Sequence, residues 1–272
     1  MVRTFGAIFG AFTMLVAYFL FKRVVNLWLA LSVVCVIATS SLFLREAPQF
    51  FNDIPSSGLL IGFLWLLYVY YDTGGRSRSI YIALFLAALA FYTRYGTAIS
   101  LGIIGILSSL VLVPKFIKKG GADYTKLRNA FIISILLFAP HFIYSYLTMK
   151  SFFGILTLSG AAAGRKYFGE GLVNYIQWLP HEVGGWILGI TAITGIVATI
   201  VIALGRNLRR NYTGLLWIGS IGIFNFILTG LLVHAETRYI FFPMVLLSGT
   251  GIASVYCLVR VCSEWFANLL IG

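Results

Sequence analysis

Residues 186–204 read WILGITAITGIVATIVIAL, nineteen residues without one charged side chain. At about 1.5 Å of rise per residue, a helix of that length reaches about 28 Å, close to the roughly 30 Å hydrocarbon core of a bilayer. In lipid its backbone groups find partners only within the segment, which makes it a helix. Directly after it comes GRNLRRN, residues 205–211, with Arg206, Arg209 and Arg210; before it lies the Gly-rich and polar stretch 150–185. A charge-free run closed at each end by polar sequence is the unit from which the chain is built.

The unit recurs, with spans predicted at 5–21, 26–44, 57–71, 80–94, 97–113, 130–149, 186–204, 212–233 and 241–261. The expected fold class is all-α: a polytopic transmembrane helix bundle of about nine spans, with residues 1–272 forming a single transmembrane domain. Several spans fall short of about 20 residues and need tilt or a thin membrane. Segments 80–94 and 97–113 are short enough to form instead one bent hairpin that does not fully cross. Composition excludes a soluble domain: 60% of the residues are hydrophobic and 10% charged, against about 45–50% and about 25% in soluble proteins. The net charge of +12 has no compact basic domain behind it, so nucleic acid is not an expected partner.

Basic residues set orientation instead. Alternate loops hold Lys22 and Arg23; Arg76 and Arg78; Lys115, Lys118, Lys119, Lys126 and Arg128; Arg206, Arg209 and Arg210; and Arg260. These are 13 of the 20 Lys and Arg residues, and the positive-inside rule places them, with the C-terminus, in the cytoplasm. The protein is therefore expected to be an integral, multi-pass protein of the cell membrane. Residues 115–129 are then a basic cytoplasmic loop in contact with lipid headgroups. Residues 150–185 are the long external segment, with Tyr175 and Trp178 placed to anchor an interfacial helix. Nine spans with a cytoplasmic C-terminus put Met1 outside with no helix ahead of it to carry it there. The first segment thus behaves like a second helix, unless a miscounted hairpin restores an even number.

Cys35, Cys257 and Cys262 lie scattered in apolar runs without a CxxC pair, so zinc and disulfide readings both fail. The Gly58–Gly62 and Gly185–Gly189 spacings are those that let helices approach closely.

Three external places carry concentrated charge. The first is REAPQFFNDIP, residues 45–55, in which Pro48 and Pro55 are expected to keep helix out of the loop. Its Arg45, Glu46 and Asp53 suit a carboxylate site for a divalent metal or an acceptor hydroxyl, or an ordinary solvated loop with an Arg–Glu pair. The second is YTRYG, residues 92–96, where Arg94 sits between Tyr92 and Tyr95. A guanidinium at headgroup depth can grip a lipid phosphate, or simply snorkel between interfacial aromatics. The third is HAETRY, residues 234–239, in which His234, Glu236 and Arg238 alternate; it either forms a site or terminates two helices.

Taken in order, these places resemble the membrane glycosyltransferases of the GT-C class, in particular the branch that holds protein O-mannosyltransferases and lipid A aminoarabinose transferases. Asp53 and Pro55 match an acid that precedes a proline. LAFYTRY, residues 89–95, matches a hairpin motif with Arg94 in the lysine position, and Arg238, Tyr239 and Pro243 match the start of a late helix. The resemblance implies transfer of a sugar from a polyprenyl-phosphate carrier to an acceptor protein or lipid glycan at the extracytoplasmic face. It implies Asp53 and Glu46 as catalytic carboxylates, one of them a general base. It implies a substrate-binding set of Arg45, Arg94, Tyr95, His234, Glu236 and Arg238, with a divalent metal ion (Mg or Mn) bridging the phosphate and Glu46 or Asp53. The family's best-known catalytic acid lies in the loop after the first helix, whereas this chain begins where the second helix should. The expectation that follows is a chain inactive by itself.

Two rival readings belong to other classes. A secondary transporter or lipid-carrier flippase calls for charges buried in mid-span and paired broken helices, and the sequence has neither. A non-catalytic membrane subunit agrees with the missing loop.

The charge sorting yields a labelling prediction. Residues 45–55, 150–185 and 234–239 should face outward, and 115–129 and 206–211 the cytoplasm. In a background lacking the three native cysteines, an impermeant thiol reagent added outside should label cysteine introduced at position 160 and spare position 120. Selective outside labelling of position 120 would invert the topology.

Overall fold

The computed structural model describes residues 2–48, 52–118, 124–154, 167–178, 185–232 and 236–271. Among these residues every regular element is a helix. In chain order they are α1 (Val2–Val24), α2 (Leu27–Ala38), α3 (Ser41–Glu46), α4 (Asp53–Asp72), α5 (Ser79–Thr93), α6 (Thr97–Lys118) and α7 (Tyr124–Met149). Then follow α8 (Glu170–Trp178), α9 (Gly185–Leu204), α10 (Arg206–Asn211), α11 (Thr213–Leu232), a 3-10 turn (Thr237–Ile240) and α12 (Phe241–Ile271). Seven helices are long and apolar enough to cross a membrane, and α2 and α5 are shorter apolar helices beside them. Together they account for the nine predicted spans.

The two short ones have local causes. The predicted span 26–44 is broken: Asn26 caps α2 by accepting from the Leu29 amide at 2.9 Å, and Ser40 caps α3 by accepting from the Phe43 amide at 3.3 Å. A side-chain oxygen that satisfies an orphan amide starts a new helix where the old one stops. Helix α5, with 15 residues, reaches only about 22 Å, whereas α6 runs on as far as Lys118. The hairpin of 80–94 and 97–113 therefore has one short and one long arm.

Helices α4 and α12 form the centre, each 78% buried over its apolar window, while α7 at 17% lies at the periphery. Helix α4 packs between α1 and α5, and α12 packs on α9, α11 and α2. The α9–α12 contact brings two backbones together. A Cβ on Gly195 would collide with the Leu247 carbonyl, and one on Gly251 with the Thr191 carbonyl. On the other side, Gly58 lets α4 settle against Thr13 of α1. The Gly185–Gly189 spacing has a different outcome from the one expected: Gly185 opens α9 with φ +70°, and the close approach falls at Gly195.

Two further expectations change. Helices α6 and α7 extend through 115–118 and 124–129, so most of the basic loop is helix end; residues 119–123 lie outside the described ones. Segment 150–185, expected to be external, does contain a helix, α8, but Tyr175 is fully buried and not an interfacial anchor. It packs against Phe226 of α11, while Val173 and Ile176 face outward.

The ends of the bundle differ in charge. At one end Arg23 pairs with Asp72 at 2.6 Å and the Lys126 ammonium donates to the Arg76 carbonyl at 2.9 Å. These three cations all belong to the set sorted to the cytoplasm by sequence. The opposite end holds Asp53, Arg94 and Arg238.

The glycine contacts make a paired prediction. Gly251→Ala places a methyl against backbone that cannot yield without a helix shift, at a cost of about 1–3 kcal/mol. Gly102→Ala, with nothing within 4 Å, should be neutral or slightly stabilising. Melting of the detergent-solubilised variants, followed by size-exclusion fluorescence, should show a loss only for Gly251→Ala.

Candidate functional site

Asp53 is the first residue of α4, the central helix. Pro55, expected to keep helix out, instead lies within the first turn of α4, where a missing N–H costs no intrahelical bond. The charged loop is correspondingly shorter, and residues 49–51 lie outside the described ones. The position draws the Asp53 carboxylate into the bundle at 4% exposure, with the positive end of the α4 dipole beside it.

Two arginines from distant segments meet that carboxylate. Arg94, the residue after α5, forms an ion pair with Asp53 Oδ1. Arg238, in the 3-10 turn before α12, places its Nε 3.7 Å from Asp53 Oδ2. Arg238 also pairs with the Glu236 carboxylate. The Tyr239 ring lies beside both cations, with its centroid 4.2 Å from the Arg94 guanidinium carbon and 5.3 Å from that of Arg238. Both arginine side chains remain about a quarter exposed, so the cluster faces accessible space.

The surroundings fix these groups. Thr97 donates to the Arg94 carbonyl at 2.7 Å and to the Ala90 carbonyl at 3.1 Å, closing the turn that holds Arg94. The Tyr175 hydroxyl donates to the Glu236 carbonyl at 3.1 Å, so α8 pins the main chain just before Arg238. Burial pushes the Tyr175 phenol well above its ordinary range, which keeps the proton on the oxygen that makes this bond. Burial also lowers the Arg94 guanidinium from its ordinary value, with Tyr239 and Glu236 acting in the opposite sense. A guanidinium starts so far above neutrality that it stays charged.

The predicted residues divide accordingly. Asp53, Arg94, Glu236 and Arg238 come together. Glu46 is buried on α3 and bonded through Oε1 to Nε of half-exposed Arg45 at 2.9 Å. Helix α3 packs on the 3-10 turn, with Phe43 stacked on Phe241, so Glu46 and Arg45 belong to the same end. Tyr95 turns away from the cluster and packs on Phe91 and His141. His234 lies outside the described residues. Sequence reasoning did not include Tyr175 or Tyr239 in the site. Tyr239 had a signal, its place next to Arg238. Tyr175 had none, since its partner lies 61 residues away.

The carboxylates do not make a metal centre on their own. Both Asp53 oxygens are turned to guanidiniums, and among the described residues no group of three His, Cys, Asp or Glu converges. An apolar groove of about 650 Å³ lies between α7 and the adjoining ends of α5 and α6, walled by Phe91, Leu101, Phe138, Phe142 and Phe153. Phe91 is three residues from Arg94, so the groove and the cation share one end of α5.

The family profile described as dolichyl-phosphate-mannose-protein mannosyltransferase matches residues 1–144. That is just over half of the 272 residues, and it takes in Arg45, Glu46, Asp53 and Arg94. No curated protein and no solved structure matches the chain. With its seven apolar, membrane-length helices, this integral membrane protein belongs to the dolichyl-phosphate-mannose-protein mannosyltransferase family, a glycosyltransferase family of GT-C type.

Proposed function

We propose that the protein transfers mannose from a polyprenyl-phosphate carrier to a hydroxyl of an acceptor protein at the extracytoplasmic face. The observation that carries this reading is the meeting of Arg94 and Arg238 on Asp53, with Arg94 three residues along the chain from Phe91, which lines an apolar groove. A prenyl tail lying against Phe91 and Phe138 would bring its phosphate to Arg94 without leaving the bilayer. Tyr95, packed on Phe91 and His141, would support the tail side of the groove and not the phosphate, and Arg45 would lie on the acceptor side.

In the reaction the acceptor hydroxyl oxygen attacks the anomeric carbon of the sugar. The bond from that carbon to the phosphate oxygen breaks and its electron pair stays on the phosphate, which gains one negative charge. Arg94 and Arg238 take up that charge in a partly desolvated site, where fixed cations are most effective. The hydroxyl proton goes to a carboxylate. Asp53 spends both oxygens on the arginines and serves to aim them. Glu46 uses Oε1 for Arg45, which leaves Oε2 for the acceptor hydroxyl. In this scheme the arginines supply charge stabilisation and Glu46 supplies the base. The donor set argues against a bridging Mg or Mn ion, and no step runs through one.

Membranes that carry the full chain, given dolichyl-phosphate-mannose and an acceptor peptide, test the scheme. Arg94→Ala should lower kcat/KM by on the order of 10²–10³. Glu46→Gln should lower kcat by on the order of 10²–10⁴ with KM for the donor little changed. Transfer indifferent to Arg94→Ala and Arg238→Ala combined would remove the cation pair from the chemistry.

A further inference from the structure

Helix α8 lies in none of the predicted spans, yet its contacts lead down the side of α11. The Gly169 amide donates to the Leu231 carbonyl at 3.2 Å, one of the last carbonyls of α11, which a helix leaves without an internal partner. A Cβ on Gly230 would collide with the Leu172 main chain. The Tyr175 ring centroid lies 6.1 Å from that of Phe226. As α8 advances from 169 to 175, its contacts retreat along α11 from 231 to 226, so the two helices run antiparallel. Phe226 stands six residues before Leu232, the last residue of α11, a distance of about 9 Å along the axis. Helix α11 is of membrane length, and Phe224 and Ile227, close to Phe226, are exposed. At the level of Tyr175, then, the outside of the bundle is apolar.

The residues of α8 sort into faces at about 100° per residue. Gly171 and Tyr175 are buried in the bundle. Glu170, Asn174 and Gln177 form a polar row, in which the Asn174 side-chain amide donates to the Glu170 carbonyl at 2.9 Å. Between that row and the face on α11 lie Val173 and Ile176, apolar and exposed. This pair stands about 100° round α8 from the residues that touch α11, and Phe224 and Ile227 stand about 100° round α11 from those that touch α8. In an antiparallel pair the two rotations run in opposite senses, which brings both exposed faces to the same side. Val173 and Ile176 thus continue the exposed apolar face of a membrane-length helix.

We infer that α8 is seated in the bilayer, with Val173 and Ile176 among the acyl chains of the leaflet at the Asp53 end of the bundle. Its polar row then lies at the edge of that seat, as in a helix held at the boundary between headgroups and acyl chains. Tyr175 belongs to the same helix and donates to the Glu236 carbonyl at 3.1 Å, two residues before Arg238. The lipid seat of α8 therefore also steadies the turn that carries Arg238.

The test uses the full chain in nanodiscs of phosphatidylcholine, in a background lacking the three native cysteines. Single cysteines replace Val173, Ile176, Gln177 and, as the lipid reference, Phe224; each is labelled with a nitrobenzoxadiazole fluorophore. Quenching is read with lipid carrying a nitroxide high on the acyl chain and with aqueous iodide, and the melting temperature controls for folding. A seat about 5–10 Å into the boundary should make lipid quenching at 176 about threefold stronger than at 177 and close to that at 224. Iodide should show the reverse order. In the unlabelled variants an impermeant maleimide should react roughly tenfold more slowly at 176 than at 177, because the thiolate is the reactive form and apolar surroundings raise the thiol pKa. If the variant at 176 is poorly folded, the one at 173 gives the same reading. Equal iodide quenching at 176 and 177 with little lipid quenching overturns the seat, and shielding that appears only when an acceptor peptide is added assigns the face to that peptide instead. Shielding from both quenchers overturns it in favour of a second copy of the chain.

Discussion

A carboxylate buried among apolar helices must be met by positive charge, and the arrangement around Asp53 follows from that requirement. Removing one partner of a buried ion pair costs about 3–5 kcal/mol, because the other charge is left without solvent. Asp53 sits at 4% exposure at the start of a central helix. Arg94 and Arg238 are accordingly drawn in from the ends of α5 and the 3-10 turn, which ties three separate segments to one point. The same arginines remain a quarter exposed, so the device that neutralises Asp53 also presents cations outward. Under the proposed function, structural need and anion recognition are met by the same atoms.

The bundle holds that point in place by contacts that cost little in polar groups. Helices α9 and α12 touch through backbone at Gly195 and Gly251, and α4 rests on α1 at Gly58. In lipid there is no hydrophobic gain in bringing two apolar helices together, so close backbone packing has to supply the attraction. Hydrogen bonds between helices add to it: Ser248 donates to the Leu188 carbonyl at 3.3 Å, and Thr13 to the Ile54 carbonyl at 3.3 Å. The second of these lies one residue from Asp53, so the packing of α1 on α4 bears directly on where the carboxylate stands.

The apolar groove beside Arg94 and the charged cluster are complementary environments at one end of the molecule. Under the proposed function an amphiphile would use both, its apolar tail in the groove and its anionic head on the arginines. Membership in a family named for a lipid-linked sugar donor agrees with that pairing. The ionic contacts at the opposite end, Arg23 with Asp72 and Lys126 with Arg76, are a half-exposed ion pair and an exposed hydrogen bond.

Hydropathy and charge sorting made the helical spans readable from sequence, because a bilayer admits only apolar helices of a set length and loops retain the charges that cannot enter it. The motifs at Asp53, Arg94 and Arg238 were likewise legible one by one, since a charge beside a span is conspicuous there. Local sequence did not reveal the break at Ser40, the helical setting of Pro55 or the burial of Tyr175, each of which depends on what packs against it. Above all, nothing in one dimension says that residues 53, 94 and 238 meet, or that Glu236 is the partly exposed carboxylate and Asp53 the buried one. Those facts arise from helix packing, in which the burial of one charge dictates where its distant partners must stand.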